Sequence, residues 1–219
     1  MKIIAALIGA ALTVSAFAQA PREATQTKVT APWKIGGVGL GMTPAQVAAA
    51  VKYDGYQLFR SLQDRSWQGQ VANEVMNLRS VRIPAGPQVI IKEYYQAGQE
   101  QLHVTYTAGR TGPYVSGIYY FIGSDAIDTE HLRRAVLAKY GKPSLRWELE
   151  LLYCTRGEPE CARTGSLVTN QLPNMTVYLA WPSKRVLQIQ QGERADRAYW
   201  AAVRAEAERL YPALKKPAI

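Results

Sequence analysis

Ile35-Gly36-Gly37-Val38-Gly39-Leu40-Gly41-Met42-Thr43-Pro44-Ala45-Gln46-Val47 is a glycine-rich approach that runs into a complete helix start. Thr43 reads as the N-cap. Pro44 falls at the first helical position, where a missing N–H costs nothing, and Gln46 can return its side chain to the Thr43 backbone. Met42 before the cap and Val47 at the fourth helical position complete a hydrophobic staple. The spacing predicts a short helix from Pro44 to about Tyr53, with Val47, Ala50 and Val51 facing the core and Asp54-Gly55 ending it. The glycines before it suggest a tight turn. A nucleotide loop would need a glycine at Met42 with an acidic residue about 20 positions on, or Gly-Lys-Ser/Thr, and neither pattern is met.

Upstream, Met1-Lys2, the apolar run Ile3 to Val14 and the small-residue pattern Ala16-Phe17-Ala18 have the three parts of a secretory signal, with cleavage expected after Ala18. The run is shorter than the ~20 residues a bilayer span needs, so the mature chain is expected to carry no transmembrane segment and to be periplasmic or secreted. Residues 19–32 read as a mobile leader and residues 33–217 as a single α+β domain. Export places Cys154 and Cys161, the two cysteines of the chain, in an oxidising compartment where they can join. The formal charge of +9 falls to +8 once Lys2 is removed. That charge favours an anionic wall or membrane component, or an acidic envelope protein, as partner. Without a block of five or more basic residues, nucleic acid is not expected.

Downstream, Tyr56 to Phe59 suggests a brief strand, Ser61 to Asn73 a loop with Trp67 packing back, and Glu74 to Pro84 a strand by its period of two. Val89 to Tyr95, Gln101 to Thr107 and Tyr114 to Ile122 are strand-length runs separated by turn chemistry, which implies an antiparallel meander. Asp128 caps a second helix with Leu132, Val136 and Tyr140 on one face and Gly141 at its end. Leu145 to Tyr153 alternates as one strand, Met175 to Trp181 and Arg185 to Gln190 form a hairpin, and a last helix spans about Arg194 to Tyr211. The predicted class is α+β, an antiparallel sheet with two short helices and a C-terminal helix packed on it. Two weakly similar α-β halves, beginning at Thr43 and Asp128, are an alternative reading of the same pattern.

Leu40-Gly41-Met42-Thr43-Pro44-Ala45-Gln46-Val47 resembles the glycine-methionine-threonine helix start of exported bacterial domains of the BamE and beta-lactamase-inhibitor-like type, and Lys139-Tyr140-Gly141-Lys142-Pro143 resembles their helix exit. The first helix departs from that pattern at Asp54-Gly55-Tyr56, and the lipobox cysteine of BamE is missing. The resemblance implies a helix-plus-sheet scaffold that binds other proteins or stabilises envelope assemblies.

Two histidines, His103 and His131, with two cysteines expected to be oxidised, are too few for a Zn²⁺ site, and no metal or cofactor is expected. His103 alternates away from Leu102 and Val104, towards solvent or a ligand-facing sheet surface. A hydrolase would need His103 with a serine, or Glu148 with Glu150 on one strand face at roughly 7 Å, and no Gly-x-Ser-x-Gly elbow supports the first. The excess of tyrosine on the meander is more suggestive. In the adjacent pairs Tyr94-Tyr95 and Tyr119-Tyr120 one ring must point to each face, which makes Tyr94, Tyr119 and His103 candidates for a binding face. The expected function is a non-enzymatic protein-binding or envelope-assembly module. An inhibitor of an extracellular enzyme and a hydrolase without a recognisable motif are the alternatives.

Overall fold

The Thr43 cap closes as its residues require: its hydroxyl accepts from the Gln46 N–H while the Gln46 Oε1 accepts from the Thr43 N–H at 2.9 Å, opening a helix over Pro44–Tyr53 (α1). Before it, Ile35 and Val38 exchange two 2.9 Å backbone hydrogen bonds around Gly36 and Gly37. Both central residues take positive φ, 55° and 69°, which side chains other than glycine resist. The approach then joins the sheet, where Gly41 N–H donates to Val115 O and Val115 N–H to Met42 O.

The computed structural model describes residues 31–79, 89–123, 126–155, 161–164, 167–181 and 184–212. The expected signal segment, the leader up to residue 30 and the Pro182-Ser183 turn lie outside the described residues. After α1 come a strand Gln57–Gln63 (β1), a helix Trp67–Leu78 (α2), and the strands Val89–Ala97 (β2), Glu100–Gly109 (β3) and Gly112–Gly123 (β4). Next are a helix Thr129–Tyr140 (α3), two short strands Leu145–Arg146 (β5) and Glu150–Cys154 (β6), and a separate pair Cys161–Thr164 (β7) and Leu167–Asn170 (β8). Strands Asn174–Trp181 (β9) and Lys184–Gln190 (β10) and the helix Glu193–Leu210 (α4) complete the order. The class is α+β: among the described residues, one eight-stranded antiparallel sheet, ordered β1-β2-β3-β4-β10-β9-β6-β5, with four helices. Its two sequence-contiguous halves meet along β4 and β10, from Lys184 opposite Gly123 to Gln190 opposite Gly117.

Two elements depart from the reading of the sequence. The stretch read as a loop and then a strand holds α2 instead: Ser66 caps it, accepting from Gly69 N–H, and Trp67, Val71 and Val75, four residues apart, are all buried. That spacing is a helical stripe. A reading that starts at Glu74 sees only Val75 and Leu78 of it, and the remainder of that expected strand, Ser80 to Pro84, lies outside the described residues. The second departure is Leu145 to Tyr153, a hairpin rather than one strand. Trp147 N–H donates to Glu150 O at 2.9 Å, Leu145 stands opposite Leu152, and Leu149 is 47% exposed at the bend.

The main core lies where α1 and α3 set Val47, Val51, Leu132 and Val136 against sheet residues such as Val104, Ile118, Met175 and Ile189. Burying each such side chain contributes roughly 1.5–3 kcal/mol. A second cluster joins α2 to α4 through Trp67, Val71, Val75, Tyr199, Val203 and Ala207, with Ala108 of β3 beneath. Leu210, expected on the inner face of the last helix, is 47% exposed, because the helix ends there with Tyr211 as its C-cap.

Candidate functional site

The pleat of β2, β3 and β4 sorts the tyrosines. Tyr95, Leu102 and Tyr120 stand opposite one another on the core side, so the row one residue along, Tyr94, His103 and Tyr119, projects from the other face. The three residues singled out from sequence are therefore cross-strand neighbours. Tyr94 and His103 meet edge to face with ring centroids 4.6 Å apart. His103 also lies 4.6 Å from the ring of Phe121, which follows Tyr119 on the same face. Gln190 Nε2 donates to the Tyr119 hydroxyl at 2.6 Å, tying the row to β10. All four aromatic residues are half-buried.

The row runs on to the sheet edge through residues that sequence reasoning did not single out. Arg60 of β1 stands opposite Tyr94 and lays its guanidinium 5.6 Å from that ring, and Phe59 approaches Tyr94 at 6.0 Å. A bulge between Leu58 and Arg60 re-aims Phe59. Among the described residues β1 pairs only with β2, so one side of its backbone faces outward, and all seven of its residues are exposed. Leu58 and Phe59 are each 53% exposed and Leu62 42%. The signal for this edge was present in the sequence as three large apolar residues spaced among Gln57, Arg60 and Gln63, with no partner pattern to hide them.

On the core side two tyrosines converge on one carboxylate. Tyr95 donates to Glu93 Oε2 at 2.6 Å and Tyr106 donates to the same oxygen. Burial first, and the Glu93 carboxylate second, push both phenols well above their ordinary value, so they are neutral donors, and the Tyr106 bond ties β3 to β2. These strands form the backing of the half-buried row.

The other sequence candidates are not brought together. Glu148 and Glu150 do not share a strand face: Glu148 sits in the β5–β6 bend, where Arg133 donates to its backbone oxygen at 2.6 Å, and Glu150 begins β6. Alternation in sequence had hidden the chain reversal between them. Cys154 ends β6 and is disulfide-bonded, while the side chain of Cys161 lies outside the described residues. Among the described residues no group of three or more His, Cys, Asp or Glu is placed to hold a metal ion, and no helix is long and apolar enough to cross a membrane. Against known proteins, no family model, no curated protein and no solved structure matches the chain.

Proposed function

We propose that this chain is an exported, non-enzymatic protein-binding module of the cell envelope, which takes up an extended segment of a partner protein alongside β1. The observation that carries the reading is that edge: a seven-residue strand, exposed throughout, whose outward N–H and C=O groups can pair with an added strand. Leu58, Phe59 and Leu62 supply apolar area for the segment's side chains, and the Arg60–Tyr94–His103 row extends the contact inward. The formal charge of +8 that remains of the full chain's +9 once Lys2 is removed repels a second copy and steers acidic partners towards it. The helix start at Leu40 to Val47, with its resemblance to BamE-like domains, supports the envelope setting on motif alone.

The test is a photo-crosslinking residue at Gln63 in the native host, with the same group at Tyr53, 92% exposed and off the edge, as control. Gln63 should give a discrete protein adduct that Phe59→Lys weakens at least tenfold, with none from Tyr53. Equal adducts from both positions, or an adduct indifferent to Phe59→Lys, would overturn the reading.

A further inference from the structure

On the opposite side of the sheet from the aromatic row, a cleft of about 460 Å³ opens between the Gly36–Gly37 turn, the end of α1, the start of β3, and α3. One wall is hydrocarbon, from Leu132, Val136 and Leu187. The same lining holds Tyr56, Glu100 and Tyr120, the last directly across the strands from Leu187: Tyr56 donates to Glu100 Oε2 at 2.7 Å, and the Tyr120 hydroxyl also bonds Glu100. An ionised carboxylate offers about four lone-pair sites, so two phenols leave Glu100 with capacity to spare. Asp54 adds a second carboxylate at the C-cap of α1, where the helix end already carries partial negative charge. Among the described residues neither Asp54 nor Glu100 is in an ion pair. Lys139, which also lines the cleft, lies 5.2 Å from the Tyr140 ring rather than against either carboxylate.

We propose that this cleft binds a small organic cation: an ammonium group held by Asp54 and Glu100 against the Tyr56 ring, with an apolar body on Leu132, Val136 and Leu187. The cleft's charge is opposite in sign to the chain as a whole, two carboxylates against one lysine. Aromatic faces attract a cation electrostatically, and a cavity of this volume matches small-molecule sites. The phenols stay neutral at working pH, because burial and the adjoining Glu100 raise both, so they add oxygen acceptors and π faces without adding charge. This site is independent of the β1 edge and does not rest on the protein-binding reading.

Titration calorimetry of the full chain with phenethylammonium, against 3-phenylpropanoate as the matched anion, tests it. The cation should bind saturably in the millimolar range or tighter, Asp54→Asn and Glu100→Gln should each weaken it at least fivefold, and Lys139→Gln should tighten it. Asp54 is exposed, so its substitution leaves the fold intact; melting curves for each variant check this. Absence of saturable binding overturns the proposal. So does equal binding of the anion, or cation binding indifferent to Asp54→Asn.

Discussion

Tyr94 on β2 and His103 on β3 stand directly opposite one another and meet edge to face, centroids 4.6 Å apart and planes at 65°. Edge-to-face pairs contribute roughly 0.5–1.5 kcal/mol beyond the area they bury. A double-mutant cycle with Tyr94→Ala and His103→Ala, read by urea unfolding, should therefore return a coupling of about 0.5–1.5 kcal/mol. A coupling indistinguishable from zero would mean that the row is a set of independent surface residues and not one preformed patch.

Tyr106 and Tyr199 are both fully buried yet should respond oppositely to loss of their hydroxyls. Tyr106 donates to the Glu93 carboxylate, and a hydrogen bond to a charged acceptor is worth about 1.5–3 kcal/mol, so Tyr106→Phe should destabilise by that order. Among the described residues the Tyr199 hydroxyl has no hydrogen-bond partner, and Tyr199→Phe should leave the urea midpoint unchanged or raise it. A comparable loss in both variants would contradict the pairing described.

Alkali should unfold the protein through the same phenols. Burial holds Tyr56, Tyr95, Tyr106, Tyr120 and Tyr199 well above the ordinary value of 10.0 and pushes Tyr114 up to about 12. A raised native pKa means that the unfolded chain gives up its protons first. The stabilisation is complete below pH 10 and is lost as pH rises through the native values. Urea midpoints should be flat from pH 7 to about 9 and fall beyond pH 10. Tyr106→Phe should flatten that fall, since it removes one of the shifted groups; an unchanged slope would argue against its burial as phenol.

What the sequence made legible was local. The Thr43–Gln46 box, the Asp128 cap and the alternation of β2 to β4 each lie within a few residues, where one chemical preference dominates. The helix α2 was hidden because its stripe, Trp67, Val71 and Val75, interrupts a polar stretch and ends in residues that also fit a period of two. The Leu145 to Tyr153 hairpin was hidden because a reversal without glycine or proline leaves no turn signal. For the candidate face, alternation told which tyrosine of each pair points outward, but not that Tyr94, His103 and Tyr119 would lie in one row. That depends on register between strands, as does the approach of Phe59 and Phe121. The cleft was invisible, since Asp54, Glu100 and Lys139 come from three elements far apart in the chain.

The caps themselves can be tested separately. Thr43→Ala removes the side-chain acceptor for Gln46 N–H and should cost about 1 kcal/mol in urea unfolding. Asp128 behaves differently because it is charged: the His131 N–H it accepts at 2.8 Å lowers its pKa below the ordinary 3.8. Its contribution is present above that value and lost as pH falls through the lowered one. Asp128→Asn keeps an acceptor but should remove this part of the acid dependence, measured as the urea midpoint between pH 6 and 3.

Cys154 is disulfide-bonded and the chain contains two cysteines, so we predict a Cys154–Cys161 bridge closing over the residues between β6 and β7. So short a loop restrains the unfolded chain by about 2–3 kcal/mol in the chain-entropy account. The bridge then ties the start of β7 to the end of β6, one residue beyond Tyr153 of the main core. Replacing both cysteines by serine should lower stability by up to that amount without changing the circular dichroism of the sheet. Peptide mapping of the protein from its native host, alkylated without reduction, should recover one cross-linked peptide pair and no labelled thiol. Labelling of both cysteines would overturn the bridge, and with it the expectation that the chain works in an oxidising compartment.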